Sequence, residues 1–209
     1  MQAFTPTRHL DLGCGAIPRN PYGRDEVFGI DLGSAPAASS SGATIVSANL
    51  ATQGIPFADG HFHSVSAYDF LEHVPRVLSD ATGSGVRFPF IDLMNEVSRV
   101  LAPGGLFYAL TPAYPAPEAF VDPTHVNFLT ARSHLYFVGP QPLGRMYGFH
   151  GHFILRKAQP VAYRDALDPT ATLNWQQHLR RLRYRIQRKF SYLAWEFERA
   201  PSPERTSPR

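Results

Sequence analysis

The sequence contains a single cysteine, Cys14, so no disulfide bond can form within the chain. Cysteine this scarce is typical of proteins from reducing compartments. No segment stays apolar over the roughly 20 residues that a membrane-spanning helix needs. The first residues also lack the basic segment and apolar stretch of a secretory signal. These absences predict a cytoplasmic protein, with at most peripheral contact at the inner membrane surface.

Charged residues are also few, at 18% of the 209-residue chain, and they are unevenly placed. The net charge is +3, yet residues 172–199 alone hold seven Lys or Arg and two Glu. Residues 1–171 are therefore net acidic. Hydrophobic residues make up 44% of the chain, an ordinary fraction for a globular protein. At this length we expect one domain with a sizeable buried core.

Short apolar runs bounded by glycine, proline or aspartate predict a series of buried strands. An amphipathic helix is expected over residues 88–101, with its stop signal at Pro103-Gly-Gly105. Further helices should lie between the strands, except at 16–25, where Pro18 and Pro21 prevent a regular helix. This alternation predicts an α/β fold with a doubly wound parallel sheet. The strands are expected near residues 7–12, 26–31, 43–48, 62–68 and 105–111, with another within 149–163.

The first predicted strand ends in a glycine-paired turn that contains Gly13 and Gly15. Glycine lets the backbone approach a ligand where a Cβ atom would collide. The second predicted strand ends at Asp31, and an acid at this point of a doubly wound sheet binds the ribose hydroxyls of a nucleoside. Dinucleotide-binding proteins need a third glycine for the pyrophosphate, where this chain has Pro18. We therefore expect S-adenosylmethionine (SAM), a nucleoside cofactor without phosphate.

Six short motifs follow one another along the chain: Leu10-Asp-Leu-Gly-Cys-Gly15, Gly29-Ile-Asp-Leu32, Ala48-Asn-Leu50, Ile55-Pro-Phe-Ala-Asp-Gly60, Asp69-Phe-Leu-Glu-His-Val74 and Val97-Ser-Arg-Val-Leu-Ala-Pro-Gly-Gly105. Together they resemble class I SAM-dependent methyltransferases of the type 11 kind. The resemblance implies a single-domain, Rossmann-like, doubly wound sheet over residues 1–171, which binds SAM and transfers its methyl group.

The resemblance also implies roles for eight residues of the cofactor site. Asp11 would hold the methionine ammonium group, and Gly13 and Gly15 would allow the close backbone approach. Asp31 would bind the ribose. The remaining contacts, to the adenine and to the methionine part, would come from Leu32, Asn49, Leu50 and Tyr68.

Two segments at the expected carboxyl edge of the sheet, 69–74 and 119–130, carry residues suited to methyl transfer. Histidine side chains are suited to accepting a proton from a hydroxyl acceptor, so we predict a catalytic role for His125. Asp122 is near enough in sequence to orient His125 or to contact the acceptor. The alternative is that Asp122 and Thr124 only shape a turn.

The acid and the two histidines of these segments are similar to a pattern in two groups of O-methyltransferases, the small-RNA 2′-O-methyltransferases and the ubiquinone-pathway enzymes. That resemblance implies Mg²⁺ or Mn²⁺ bound by Glu72, His73 and His125, with Asp69 in the place of a further acid. Two alternatives stay open. His73 contacts the acceptor or acts as a base without metal, or the Glu-His pair has a purely structural role.

The acceptor is less constrained than the cofactor. Asn20-Pro-Tyr-Gly23, the segment 90–99 and the loop 119–130 look like bacterial methyltransferases encoded with surface-polysaccharide genes. This implies O-methylation of a sugar, a glycan or another small acceptor. One alternative is an RNA 2′-O-methyltransferase with a divalent metal at the acceptor. Another is a SAM-binding protein that has no catalytic activity and serves in interactions.

No glycine or proline interrupts residues 173–199, which favours one basic amphipathic helix over 172–200. Such a helix would contact a membrane surface or a second copy of the chain, or pack on the domain with its arginines in water. Nucleic acid is a weaker candidate, because residues 1–171 are net acidic. Residues 201–209 are expected to be disordered. The apolar stripe of the helix would consist of Leu179, Leu182, Ile186, Phe190, Leu193 and Phe197.

Overall fold

The computed structural model describes residues 5–33, 42–172, 174–187 and 190–201. Its main sheet contains seven strands: β1 (Arg8–Leu12), β2 (Glu26–Asp31), β3 (Thr44–Ser47), β4 (Phe62–Tyr68), β7 (Leu101–Pro112), β8 (Phe153–Val161) and β9 (Tyr192–Arg199). Their order is β3-β2-β1-β4-β7-β9-β8. The first five strands in this order run parallel, and β9 is antiparallel to both of its neighbours. The predicted Rossmann-like α/β sheet is confirmed.

A separate two-stranded hairpin, β5 (Leu78–Ser79) with β6 (Val86–Arg87), follows β4. The central strands β1, β4 and β7 are apolar because both faces of the sheet are covered. Leu10, Val65 and Phe107 are fully buried in them. Every strand predicted from an apolar run is present, and β7 extends further toward its amino end than predicted.

Helix α1 (Pro89–Val100) is the predicted amphipathic helix. Proline suits its first turn, where the missing N–H has no helical partner in any case. Its apolar face, which includes Leu93, Met94 and Val97, is buried in the core. The helix ends as the chain becomes extended at Leu101, and β7 begins there without a loop.

The expectation of further helices between the first strands is wrong. Residues 13–25, between β1 and β2, form turns and irregular backbone, as the prolines predict for 16–25. Residues 48–61, between β3 and β4, also contain only turns. The described part of the β2–β3 connection is not helical either, and its residues 34–41 lie outside the described ranges.

The prediction of one helix over 172–200 is wrong in its second half. Helix α2 covers only Trp175–Gln187, and residues 192–199 form β9. Leu193, Trp195 and Phe197 are fully buried, with the alternation of a strand. Residues 193 and 197 are four positions apart, and residues at this spacing share one face both in a helix and in a strand. Trp195, between them, belongs only to the strand pattern.

This correction also changes the predicted division of the chain at residue 171. β9 lies between β7 and β8, so the domain includes residues up to Arg199. In α2, by contrast, Leu179, Leu182 and Ile186 are exposed, so membrane or dimer contact through this helix stays a prediction. Of the predicted disordered tail 201–209, only Pro201 lies in the described ranges. None of the described helices is both long enough and apolar enough to cross a membrane.

Candidate active site

A cavity of about 490 Å³ opens at the carboxyl ends of β1, β2 and β4. In open α/β sheets, ligands bind at this carboxyl edge, in the crevice where the order of the strands reverses. Five of the predicted cofactor residues line this cavity, together with Asp69, Phe70 and His73. Those five are Gly13, Asp31, Leu32, Asn49 and Leu50. The other three, Asp11, Gly15 and Tyr68, do not line it.

Asp31 holds the glycine turn in place. One of its carboxylate oxygens accepts a hydrogen bond from the Gly15 N–H at 2.8 Å, and the other accepts one from the Gly33 N–H at 3.2 Å. Gly13 and Gly15 both have positive φ angles, 66° and 58°, which glycine adopts without strain. The turn and the acid therefore form one unit, with carboxylate lone pairs left for ribose hydroxyls.

Asn49, the predicted adenine contact, lines the cavity, but its side-chain oxygen already has a partner. This oxygen accepts a hydrogen bond from the Ala51 N–H at 3.0 Å, while the Asn49 N–H donates to Gln53. A ligand amino group would have to use the second lone pair of the same oxygen. Leu32 is 71% exposed, so it forms an open side of the cavity.

Asp11 lies beneath the cavity rather than in its wall. Its side chain is buried and accepts hydrogen bonds from the Arg19 N–H at 2.8 Å and from the Ser66 hydroxyl at 2.5 Å. Burial raises the pKa of Asp11 to about 6. Asp11 thus holds the backbone of Arg19, in the irregular segment after the glycine turn. The family resemblance implies contact with the methionine ammonium group instead.

A buried polar network leads to Asp11 from below. The hydroxyl of Ser66 donates to Asp11, so His9 Nε2, 2.9 Å away, must donate to Ser66. His9 Nδ1 then accepts from the Ser64 hydroxyl at 2.8 Å. Burial, with a further contribution from Arg24, lowers the pKa of His9 to about 3, so the imidazole is neutral as this order of donors requires.

This network was not anticipated from the sequence. The signal was present as polar residues at every second position of two apolar strands. His9 and Asp11 alternate on β1, and Ser64 and Ser66 alternate on β4. The register that pairs His9 with Ser64 and Asp11 with Ser66 brings them together.

Tyr68 points away from the cavity. Its hydroxyl donates to the Leu167 carbonyl oxygen at 2.8 Å, and the Arg19 guanidinium lies 4.5 Å from the centre of its ring. The next residue, Asp69, does line the cavity and has a φ angle of 49°, which is rare outside glycine. The Tyr163 hydroxyl donates to Asp69 at 3.1 Å. Tyr163 was not anticipated from the sequence.

Glu72, His73 and His125 come together beside the cavity, although they belong to two segments that are distant in sequence. His73 and Thr124, the residue before His125, are 51 positions apart. Glu72 and His73 lie in a single 3₁₀ turn, Leu71–His73, directly after β4. The two imidazole rings are 4.7 Å apart, centre to centre, and nearly perpendicular. The backbone carbonyl of Glu72 accepts the N–H groups of Val126 and Asn127, which ties the second segment to the first.

The carboxyl group of Glu72 is buried. One oxygen accepts a hydrogen bond from the Thr111 hydroxyl at 2.9 Å, and the other has no hydrogen-bond partner among the described residues. The pKa of Glu72 is raised to about 7, mainly by burial and to a smaller extent by Asp69, while hydrogen bonds from the backbone and from Thr111, and the nearby His125, oppose the rise. An unpartnered buried carboxyl oxygen requires a proton, a cation or a donor from a ligand.

Asp122 is linked to His73 through Thr124, and among the described residues it makes no direct hydrogen bond to His125, although it lies near both histidines. Its carboxylate accepts the N–H and the hydroxyl of Thr124, at 2.8 and 2.7 Å. Because that hydroxyl has only one proton, its contact with His73 Nδ1 at 2.9 Å requires His73 to be the donor. The Nε2 atom of His73 therefore carries the lone pair. The turn-shaping role of Asp122 and Thr124 is present as well.

His125 has the same tautomer for a different reason. Its Nδ1 lies 3.3 Å from the Ala119 carbonyl oxygen, which can only accept, so Nδ1 carries the proton. The Nε2 atom is again free to accept a proton or to bind a metal ion. Sequence reasoning found both histidines, but it named Thr124 only as part of a turn and missed the Ala119 carbonyl. These are the two groups that orient the histidines.

Asp69 does not join the group that can bind a metal. Ligand atoms of Glu72, His73 and His125 lie within 4.8 Å of one another, and the described residues include no fourth member of this set. Asp69 is engaged by Tyr163 instead. The further acid implied by the metal-dependent groups is therefore absent from the cluster.

Comparison with known proteins agrees with this geometry. Residues 10–109 match a family model described as a methyltransferase domain. A solved S-adenosylmethionine dependent methyltransferase from Mesorhizobium loti shares the fold, with a TM-score of 0.55 and 18% identity over 92% of this chain and 90% of that chain. The chain therefore contains a methyltransferase domain. Its sheet is that of class I.

Two further solved structures are similar to this methyltransferase. A chain from the complex of the Haloferax volcanii Trm112 methyltransferase activator with a methyltransferase has a TM-score of 0.56 and 16% identity, over 93% of this chain and 83% of that chain. The [4+2]-cyclase SpnF has a TM-score of 0.54 and 16% identity, over 94% and 75%. At these identities the likeness shows the fold alone. No curated protein matches the sequence.

Replacement of Asp31 by alanine in this methyltransferase is expected to weaken binding of S-adenosylhomocysteine by at least tenfold. The change removes charge-assisted hydrogen bonds to the ribose, each worth roughly 1.5–3 kcal/mol, and frees the Gly15 turn. Isothermal titration calorimetry measures the loss. Asp25→Ala, at the opposite end of β2, is the matched control and should leave binding unchanged. Equal affinities for the two variants would contradict the ribose-binding role.

Proposed function

We propose that the enzyme transfers the methyl group of SAM to a hydroxyl oxygen of a sugar, a glycan or another small acceptor. The observation that carries this proposal is a pair of adjacent histidines whose Nδ1 atoms both face oxygen partners, which leaves the two Nε2 atoms for the acceptor. His73 lines the cavity together with Asp31, and the ring of His125 packs against that of His73. A hydroxyl acceptor must lose a proton during the reaction, and neutral imidazole accepts protons near neutral pH.

In the proposed reaction the acceptor oxygen attacks the methyl carbon of SAM. The bond from carbon to sulfur breaks, its electron pair stays on sulfur, and S-adenosylhomocysteine is released. The hydroxyl proton moves to Nε2 of His125. His73, which lines the cavity, holds the acceptor hydroxyl in line with the methyl group through its own Nε2. The chain therefore supplies alignment and one proton acceptor.

A metal ion is a second way in which the same side chains would activate a hydroxyl. Two imidazole Nε2 atoms and an unpartnered carboxylate oxygen form a mixed nitrogen and oxygen donor set. Such a set fits Mn²⁺ better than Mg²⁺, which prefers oxygen ligands throughout. When bound there by Glu72, His73 and His125, the ion would lower the pKa of the acceptor hydroxyl.

The test measures release of S-adenosylhomocysteine from SAM with pooled glycans, pooled small metabolites and pooled RNA as acceptors. We expect turnover with the first or the second pool and none with RNA. Activity that persists in EDTA and does not respond to Mn²⁺ is the result expected for the base mechanism. Activity that EDTA abolishes and Mn²⁺ restores would replace it with the metal mechanism. Turnover with RNA alone would contradict the proposed acceptor class.

A further inference from the structure

A second and larger cavity, of about 680 Å³, lies at the same edge of the sheet but outside the cofactor cavity. Its walls come from the end of β7, the end of β8, the start of β9 and helix α2. Most of the lining is apolar, and its volume falls in the range of ligand sites, roughly 300–1,000 Å³. The apolar lining includes Ala113, Pro115, Pro160, Leu182, Phe190 and Leu193.

One cation of this wall is unusual because its charge is not balanced. Arg181 lines the cavity, and its Nε atom is buried with no hydrogen-bond partner among the residues that the structure describes. Arg181 takes part in no salt bridge within the described ranges, whereas the preceding residue, Arg180, pairs with Asp165. A buried donor of a charged group costs free energy until an acceptor reaches it.

The surroundings of Arg181 contain charges of both signs. Burial lowers the pKa of Lys157, Glu196 raises it and Arg181 lowers it, so these three groups share one neighbourhood. Asp168 and Arg181 both act on Tyr108, and Glu196 accepts a hydrogen bond from the Tyr22 hydroxyl at 2.8 Å. The feature that would attract an anion to this end of the cavity is therefore the guanidinium of Arg181 that lines it, and not a net excess of cations.

The cavity is close enough to the histidines to serve the same molecule. Thr111, which donates to Glu72, is two residues before Ala113, and residues at this spacing on a strand share a face about 7 Å apart. Leu193 lies opposite Thr111 in the β7–β9 pairing. A ligand in the cavity is thus separated from the Glu72 carboxyl group by about one side chain.

We propose that this cavity binds the acceptor and that the acceptor is an amphiphile, with an apolar body along the wall and an anionic group on Arg181. The assignment to the acceptor rests on the proposed function. The binding site itself follows from the cavity, its apolar lining and the unpartnered guanidinium. A carboxylate or a phosphate satisfies the planar donors of arginine equally well.

The test uses three ten-carbon probes as monomers in solution: decanoate, decanol and decyltrimethylammonium. Calorimetry should show decanoate binding at one site, at least tenfold tighter than the other two. Arg181→Gln should remove this preference, because a hydrogen bond to a charged group is worth a factor of ten or more. Arg183→Gln, at an exposed position of the same helix, is the matched control and should keep it. Ala131→Trp, which fills the cavity, should weaken all three probes.

Equal affinity for decanoate and decanol, or an unchanged preference in Arg181→Gln, would overturn the proposal. Vesicles that contain phosphatidylglycerol separate a membrane source from a free molecule. Sedimentation with these vesicles in the absence of decanoate binding would also overturn it. S-Adenosylhomocysteine titrated into the same protein tests the cofactor site separately. If it binds and turnover is found while decanoate does not bind, the proposed function stands and this inference fails.

Discussion

A chain that ends at Gln187 is expected to lose its cooperative thermal unfolding transition. It keeps every methyltransferase motif and helix α2 but lacks β9, which joins β7 to β8 in the sheet. Without β9, Leu193, Trp195 and Phe197 are missing from the core, and β7 and β8 each lose the backbone hydrogen bonds along one edge. Circular dichroism against temperature measures the transition. A chain that ends at Pro201 is the matched control and should unfold like the full-length protein.

A point variant tests the same conclusion without deletion. Trp195→Ala is expected to lower the free energy of unfolding by about 3–5 kcal/mol, because a fully buried aromatic side chain is removed from the core. Trp175→Ala, at a position on α2 that is 69% exposed, should change it by less than about 0.5 kcal/mol. Similar losses for the two variants, or normal unfolding of the chain that ends at Gln187, would contradict the position of β9.

His125→Ala is expected to reduce turnover by about 100-fold or more while S-adenosylhomocysteine binds with unchanged affinity. Loss of a general base typically costs this much, and His125 lies outside the lining of the cofactor cavity. Steady-state kinetics and calorimetry on one preparation separate the two effects. His178→Ala, at an exposed position of α2, is the control for loss of an imidazole. Full activity of His125→Ala would rule out both the base and the metal role for this residue.

Thr124 offers a finer test of how the site is oriented. Thr124→Val removes the hydroxyl that links Asp122 to His73, so the His73 ring loses the partner that keeps its proton on Nδ1. We expect kcat to fall, by less than in His125→Ala, with little change in cofactor affinity. Thr124→Ser keeps a hydroxyl and should restore kcat. Equal kcat in the valine and serine variants would show that this link has no part in the reaction.

Much of the cofactor side of the site follows from local sequence. β1, β2 and β4 are short segments with buried apolar residues, such as Leu10, Ile30 and Val65, and such segments favour buried strands. The turn with Gly13 and Gly15 requires positive φ angles, which glycine supplies. The meeting of His73 with His125 was also predictable, because parallel strands place their carboxyl ends at one edge.

The sequence by itself therefore determined the five parallel strands, the edge of the sheet that holds the cavity, and five of the residues that line this cavity. The tertiary structure alone decided that residues 192–199 form a strand between β7 and β8. The spacing of positions 193 and 197 fits a helix and a strand equally, and only the pairing with β7 and β8 selects the strand. It also decided the tautomers of the two histidines, the network from His9 to Asp11 and the unpaired charge of Arg181. Each of these depends on which polar atoms meet across the fold, and local periodicity carries no information about contacts between residues distant in sequence.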